Sequence, residues 1–368
     1  MTTTLLWDDG PGEIRSGRVE NTVLTEFRIT RPPSPDQPLA AVGEHYTARL
    51  LARIGNGRAL ARIGFGEDVI VQPAPNLPEG ALFAAEMTRS PLAEPGRWKR
   101  AIIRPLDAVP ATEPGRVHST ASWQTALLKA AQGASGIICG QSSAESRVKS
   151  ALGSACPPIQ IDPARIEEAD FEGLIEQAVS GDFPIAGGAL SFERTRAMLM
   201  IDVDGDGDAR ALNLAAAAEI PRLLRLLDCG GPVGIDFVSM QTKADRAAVD
   251  AALGTACTSL GQHERTALNG FGFCQIIRPR FGPSVPELLC GTTVGRLSLE
   301  SRAVALLRAA ARSIGFGARQ LIAQPVLIDR LSAMPQEIAA LRLFLGTEIE
   351  LVPDSSATGY GSVHVAPR

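Results

Sequence analysis

Ala197-Met198-Leu199-Met200-Ile201-Asp202-Val203-Asp204-Gly205 and Gly231-Pro232-Val233-Gly234-Ile235-Asp236-Phe237-Val238-Ser239-Met240 are two short apolar runs, each with an aspartate at its heart. An ionised carboxylate inside an apolar strand is costly unless a cation or hydrogen bonds compensate it. Two such aspartates on successive strands can converge on one hard metal ion. Alternation along a strand puts Asp202 and Asp204 on one face, so both can point at the same ion. Magnesium is usually held by one or two carboxylates plus waters and phosphate oxygens, the arrangement a phosphodiesterase needs. The plainer reading has one aspartate capping a turn and the other half exposed.

Working outward, Asn213 to Leu227 reads as a helix stopped by Gly230-Gly231, with Pro221 implying a kink or a late start. Ala244 to Leu260 and Leu297 to Ile314 are further helices, and Ala164 to Ser180 is one more. Gly136 to Cys139 is a short buried strand after a helix over 122–133, and the tail alternates strand and helix to Val365. Strands followed by helices make this half α/β. Asp202 to Gly207 also matches the start of a calcium loop, D-x-D-x-D-G. That loop requires a preceding helix and a glutamate where this chain has Asn213.

The first half is different. Residues 1–30 look like a hairpin around Asp9-Gly10-Pro11-Gly12, and Arg31-Pro32-Pro33-Ser34-Pro35-Asp36 marks a linker. Residues 40–105 hold evenly spaced β-like runs, Tyr46–Ile54, Ala59–Gly64, Asp68–Gln72 and Ala81–Thr88, the pattern of a small barrel. Over 38–105 there are nine basic and six acidic residues, an excess of +3 in a chain of net charge −4. Either the barrel has a solvated basic face, or it binds oligonucleotides. In the second case Arg49, Arg53, Arg58 and Arg62 meet phosphates and Tyr46 or Phe65 stacks on bases. Arg278 and Arg280 end another strand and would clamp a phosphate near the metal. Glu193, Arg194 and Arg196 read as ion-paired surface residues.

Composition sets bounds. At 368 residues, two or three domains are expected. The 45% hydrophobic and 21% charged content is that of an ordinary globular protein. Cys139, Cys156, Cys229, Cys257, Cys274 and Cys290 form no C-x-x-C pair, which fits reduced thiols in the cytoplasm. No signal peptide or membrane span is expected. Four histidines leave little material for histidine catalysis, and no H-E-x-x-H, G-x-S-x-G or P-loop occurs.

A further set of residues falls in a familiar order. It runs from Gly187-Gly188-Ala189-Leu190 through Glu193-Arg194-Thr195 to Ile201-Asp202-Val203-Asp204, Asn213-Leu214, Ala217-Ala218-Glu219-Ile220 and Arg222 to Leu226. Gly230-Gly231, Ile235 to Met240, Phe271-Gly272 and Pro283-Ser284 complete it. This order resembles the catalytic core of the ribonuclease E/G family, endoribonucleases specific for single strands. The resemblance implies an OB-fold barrel (38–107) inserted in an RNase H-like subdomain (1–37 and 108–183), then a DNase I-like α/β catalytic domain (184–289) and a small C-terminal α/β domain (296–368). It implies that Asp202 and Asp236 bind Mg2+, with Asp204 at a position usually held by an asparagine, and that cleavage of RNA leaves a 5′-phosphate and a 3′-hydroxyl.

The chain also departs from the family. Where a Cys-Pro-x-Cys zinc link is expected there is only Cys290, so no zinc is expected and any homodimer lacks that link. The segment that senses a 5′-monophosphate is missing before Trp123. Gly270 replaces an arginine and Gln275 an acidic residue. Two readings stay open, an active endoribonuclease and an RNA-binding paralogue with little or no turnover.

Overall fold

A computed structural model describes residues 2–31, 42–64, 66–118, 123–280 and 282–366. The expected N-terminal hairpin is a three-stranded meander: β1 (Thr3–Gly10), β2 (Glu13–Glu20) and β3 (Val23–Thr30). The second turn uses Asn21 and Thr22, both at positive φ, which suits the twist of a two-residue hairpin.

The barrel expected over 40–105 is present. β4 (His45–Gly55), β5 (Arg58–Arg62), β6 (Val69–Val71) and β7 (Leu82–Arg89) precede a small hairpin of β8 (Leu92–Glu94) and β9 (Arg97–Lys99), and β10 (Ile102–Pro105) follows. Pairing in the order β4-β5-β6-β10-β7, with β7 returning to β4, closes five strands into an OB-like barrel. Asn56 and Gly57 supply the positive φ values of the β4–β5 turn. Tyr46, Leu50, Val71, Met87 and Ile103 fill the interior. β11 (Gly115–His118) adds to β4 and leads out.

After the barrel come α1 (Trp123–Ala130), β12 (Gly136–Cys139), α2 (Ser142–Leu152) and β13 (Ile159–Ile161). β12 returns to pair in parallel with β1, giving the sheet order β13-β12-β1-β2-β3. The barrel is thus threaded between strands of one sheet. The helix expected over Ala164–Ser180 is two helices, α3 (Pro163–Glu168) and α4 (Phe171–Ser180). Asp170 breaks it, with φ 46 and a side chain that accepts from the Gly173 N–H to cap the second helix.

The next sheet has the order β14-β15-β16-β17-β19-β18. Its elements are β14 (Asp182–Ile185), β15 (Gly188–Arg194), β16 (Leu199–Gly205), α5 (Ala209–Leu226), β17 (Gly231–Asp236), α6 (Lys243–Cys257), β18 (Glu264–Arg265) and β19 (Phe273–Arg278), with α7 (Val285–Cys290) after it. Asp208 caps α5, accepting from the N–H groups of Arg210 and Ala211, so the helix starts before Asn213 and runs on past Pro221. One face of the sheet supplies Ile201, Val203, Val233, Ile235, Cys274 and Ile276 to a core shared with α5 and α6. The chain ends in α8 (Leu299–Arg312), β20 (Arg319–Ala323), α9 (Pro325–Ser332), α10 (Pro335–Leu345), β21 (Ile349–Pro353) and β22 (Ser362–Val365), a three-stranded sheet with its own core. No helix among the described residues is long and apolar enough to cross a membrane.

Candidate active site

β16 and β17 are parallel neighbours, and their register places Asp202 directly beside Asp236. Strand spacing puts the two backbones about 4.8 Å apart with both side chains on one face. Asp204 continues β16 on that face; the strand runs through Gly205, so Asp204 lies in the ladder. All three aspartates are exposed, whereas Ile201, Val203 and Ile235 between them are buried. The apolar residues anchor the strands and the acidic ones line the open side.

The electrostatics are those of crowded like charges. Burial, Asp236, Asp204 and Glu193 together raise the pKa of Asp202, with one backbone hydrogen bond opposing them. Glu193 stands opposite Met200 on β15, on the same face as Asp202. Its neighbours Arg194 and Arg196 instead reach the carbonyls of Gly291, Thr293 and Pro95. Glu193 is therefore a member of the acidic face that the sequence reading set aside. Among the described residues no three His, Cys, Asp or Glu side chains enclose a metal. The paired aspartates are the residues that could hold a hard cation, whose remaining shell would be water and phosphate oxygens.

Asn213 is a second residue missed. Fully buried on α5, it donates to the Val238 carbonyl at 2.7 Å and accepts from the Val238 N–H at 3.1 Å. It thereby pins the chain two residues beyond Asp236. This also removes the calcium-loop reading, since a strand precedes Asp202 and Asn213 is turned into the core.

The arginines assigned to phosphate binding separate. β19 runs antiparallel to β17, so Phe273 lies beside Asp236 and Arg278 beside Gly231, at the other end of the sheet. Five residues of strand put Arg278 about 17 Å from the acidic pair. Its guanidinium donates to the carbonyls of Leu224 and Cys229, and Arg280 pairs with Glu287. Arg278 and Arg280 are thus not brought to the aspartates. On the barrel, Arg49 and Arg62 are cross-strand partners. Arg49 donates to the Gly80 carbonyl and Arg53 to that of Pro75, Arg62 pairs with Asp68, and Arg58 stands opposite Gly55 at the hairpin. Tyr46 is fully buried, with its hydroxyl on Glu44, which removes it as a base-stacking surface. Phe65 lies outside the described residues. Cys290, where a zinc link was sought, is buried with its thiol pKa pushed up by burial.

An open mixed sheet that aligns carboxylates on adjacent parallel strands defines an α/β protein with a cation-ready acidic face. Residues 140–281 match the model of the Ribonuclease E/G family. That segment, which contains all three aspartates and Asn213, is what the chain shares with the ribonuclease E/G family, and the similarity points to endoribonuclease activity in RNA processing. The barrel and the residues after 281 lie outside the match.

Proposed function

We propose that this chain is a magnesium-dependent endoribonuclease that cuts single-stranded RNA to 5′-phosphate and 3′-hydroxyl products. One observation carries the reading: Asp202 and Asp236 stand side by side on an open sheet face within the family-matched segment. Their hard oxygen donors suit Mg2+, which when bound would polarise a phosphate and lower the pKa of a coordinated water. Asp202 and Asp236 hold the charge, Asp204 orients or assists, and Asn213 fixes the loop that follows β17.

The proposed layout keeps the barrel (38–107) as the RNA-binding module, with Arg49, Arg53 and Arg58 toward the strand. The order β13-β12-β1-β2-β3 supports an RNase H-like subdomain made of 1–37 and 108–183. Residues 184–289 are read as a DNase I-like catalytic domain and 296–368 as a small C-terminal domain. The enzyme is proposed to act in the cytoplasm without zinc, and any homodimer would form without a zinc link.

The test is cleavage of an end-labelled, A/U-rich single-stranded RNA with magnesium, beside Asp202→Asn and Asp236→Asn, with binding measured in parallel. Internal cuts lost in both variants and in chelator, with binding kept, are expected. Cleavage that survives chelation would refute the metal mechanism. A second reading is an RNA-binding paralogue without turnover, favoured by the added charge of Asp204 on Asp202. Tight binding with no cuts in the wild type would establish it.

A further inference from the structure

The acidic face also carries an apolar patch that belongs to no core. Gly234, two residues before Asp236, is buried beneath three side chains. A β-carbon placed on it would lie 2.8 Å from Phe273 Cζ, 2.9 Å from Met200 Sδ and 3.0 Å from Met198 Sδ. Only glycine lets these three close over the strand. Phe273, Met200 and Met198 are themselves half-buried; Phe273 lies beside Asp236, and Met200 lies one pleat step from Asp202, about 6.6 Å along β16. That separation is on the scale of a single nucleotide.

At the rim, Phe271 is 89% exposed on a turn that is held firmly. The Asn269 side chain accepts from the N–H groups of Phe271 and Phe273, and the Phe237 N–H donates to the Gly272 carbonyl. The turn is thus tied to the residue that follows Asp236. An aromatic ring with two thioethers makes a soft, flat surface that accepts any π-face.

Resting on the nuclease reading above, we propose that Phe273, Met200 and Met198 form a shelf that seats a nucleobase of single-stranded RNA beside the phosphate held at Asp202 and Asp236, with Phe271 flanking it. The base next to the cut is then gripped by the catalytic sheet itself, independently of the barrel.

Two measurements test this on the full chain. In the first, RNA carrying 4-thiouridine is photo-crosslinked to the Asp202→Asn protein and the adducts are mapped by mass spectrometry. Adducts at Phe273, Met200 or Met198 are expected, and adducts confined to the barrel overturn the shelf. In the second, cleavage of an RNA is compared with cleavage of the same RNA carrying one abasic nucleotide beside the cut. Phe273→Leu and the abasic substrate should each raise KM roughly tenfold with kcat little changed. Their effects should not add, and Phe273→Tyr should restore the wild-type value. Unchanged KM in both, with cleavage still lost in Asp236→Asn, rejects the shelf and leaves the nuclease standing. Crosslinks on the shelf without any cleavage keep the shelf and reject the nuclease. An RNA that neither binds nor crosslinks overturns both.

Discussion

Asp202 is held where three other carboxylates oppose its ionisation, after the effect of its burial. Its pKa is raised, so the proton stays on to a higher pH than for an ordinary aspartate. A divalent cation needs the ionised form, so cation affinity and cleavage should fall as pH drops through that raised value. Removing one opposing charge moves the acid limb. Asp204→Asn should shift the acid side of the pH–rate profile to lower pH and increase cleavage at slightly acidic pH. A limb that stays in place would show that Asp204 does not act on Asp202. Much of this residue-scale picture was readable in the chain, because an aspartate in an apolar run advertises its cost. Glu193 was not, because a charged residue just ahead of two arginines suggests an ion pair, and only the β15–β16 register reveals what it faces.

The segment after β17 is fastened to α5 by the two hydrogen bonds between Asn213 and Val238. Asn213→Ala leaves both main-chain groups without their partner, at a cost of about 1–3 kcal/mol. A lower melting temperature together with a fall in kcat is expected, with RNA affinity at the barrel kept. A variant that melts like the wild type would show that the brace is dispensable. Elements with strong periodicity or a glycine stop, such as α6, α8 and the barrel strands, could be placed from the sequence. Helix starts could not, because the cap at Asp208 lies within a run of Asp and Gly that reads as a loop. Strand direction was also hidden. The two arginines at the end of β19 looked close to the metal in sequence, yet an antiparallel strand delivers its first residue there and its last to the far edge. Pairing geometry alone decides that.

Across the molecule, a buried charge network clasps the C-terminal α8 to the N-terminal sheet. Glu13 pairs with Arg15 at 2.7 Å and Arg31 at 2.9 Å; Arg308 reaches Asp8 and the Glu13 carbonyl, and Arg15 and Arg312 share Glu172. Burial alone would raise the pKa of Glu13, but Arg31, Arg15 and Arg308 outweigh it and hold the carboxyl at about 2, against 4.5 for a free one. A depressed acid stabilises the fold above its unfolded value and loses that contribution as pH falls through the folded one. Stability on the order of 3 kcal/mol should therefore be lost between pH 4.5 and about 2. Glu13→Gln should cost about 3–5 kcal/mol at neutral pH by stranding the arginines, and should flatten the acid transition. Denaturant titrations at several pH values check both. At this scale too, the expectation that the chain lacks a 5′-sensing segment predicts equal cleavage of matched 5′-monophosphate and 5′-triphosphate RNAs, and a strong monophosphate preference would sink it.

The threading of the barrel between β3 and β12 carries a consequence for biogenesis. β1 cannot gain its parallel partner until every residue of the barrel has been synthesised, a delay on the order of ten seconds at ordinary translation rates. The barrel, which has its own interior, can fold within that interval. The nascent chain must meanwhile keep one edge of its opening meander unpaired, so the first strands made are among the last to find their place.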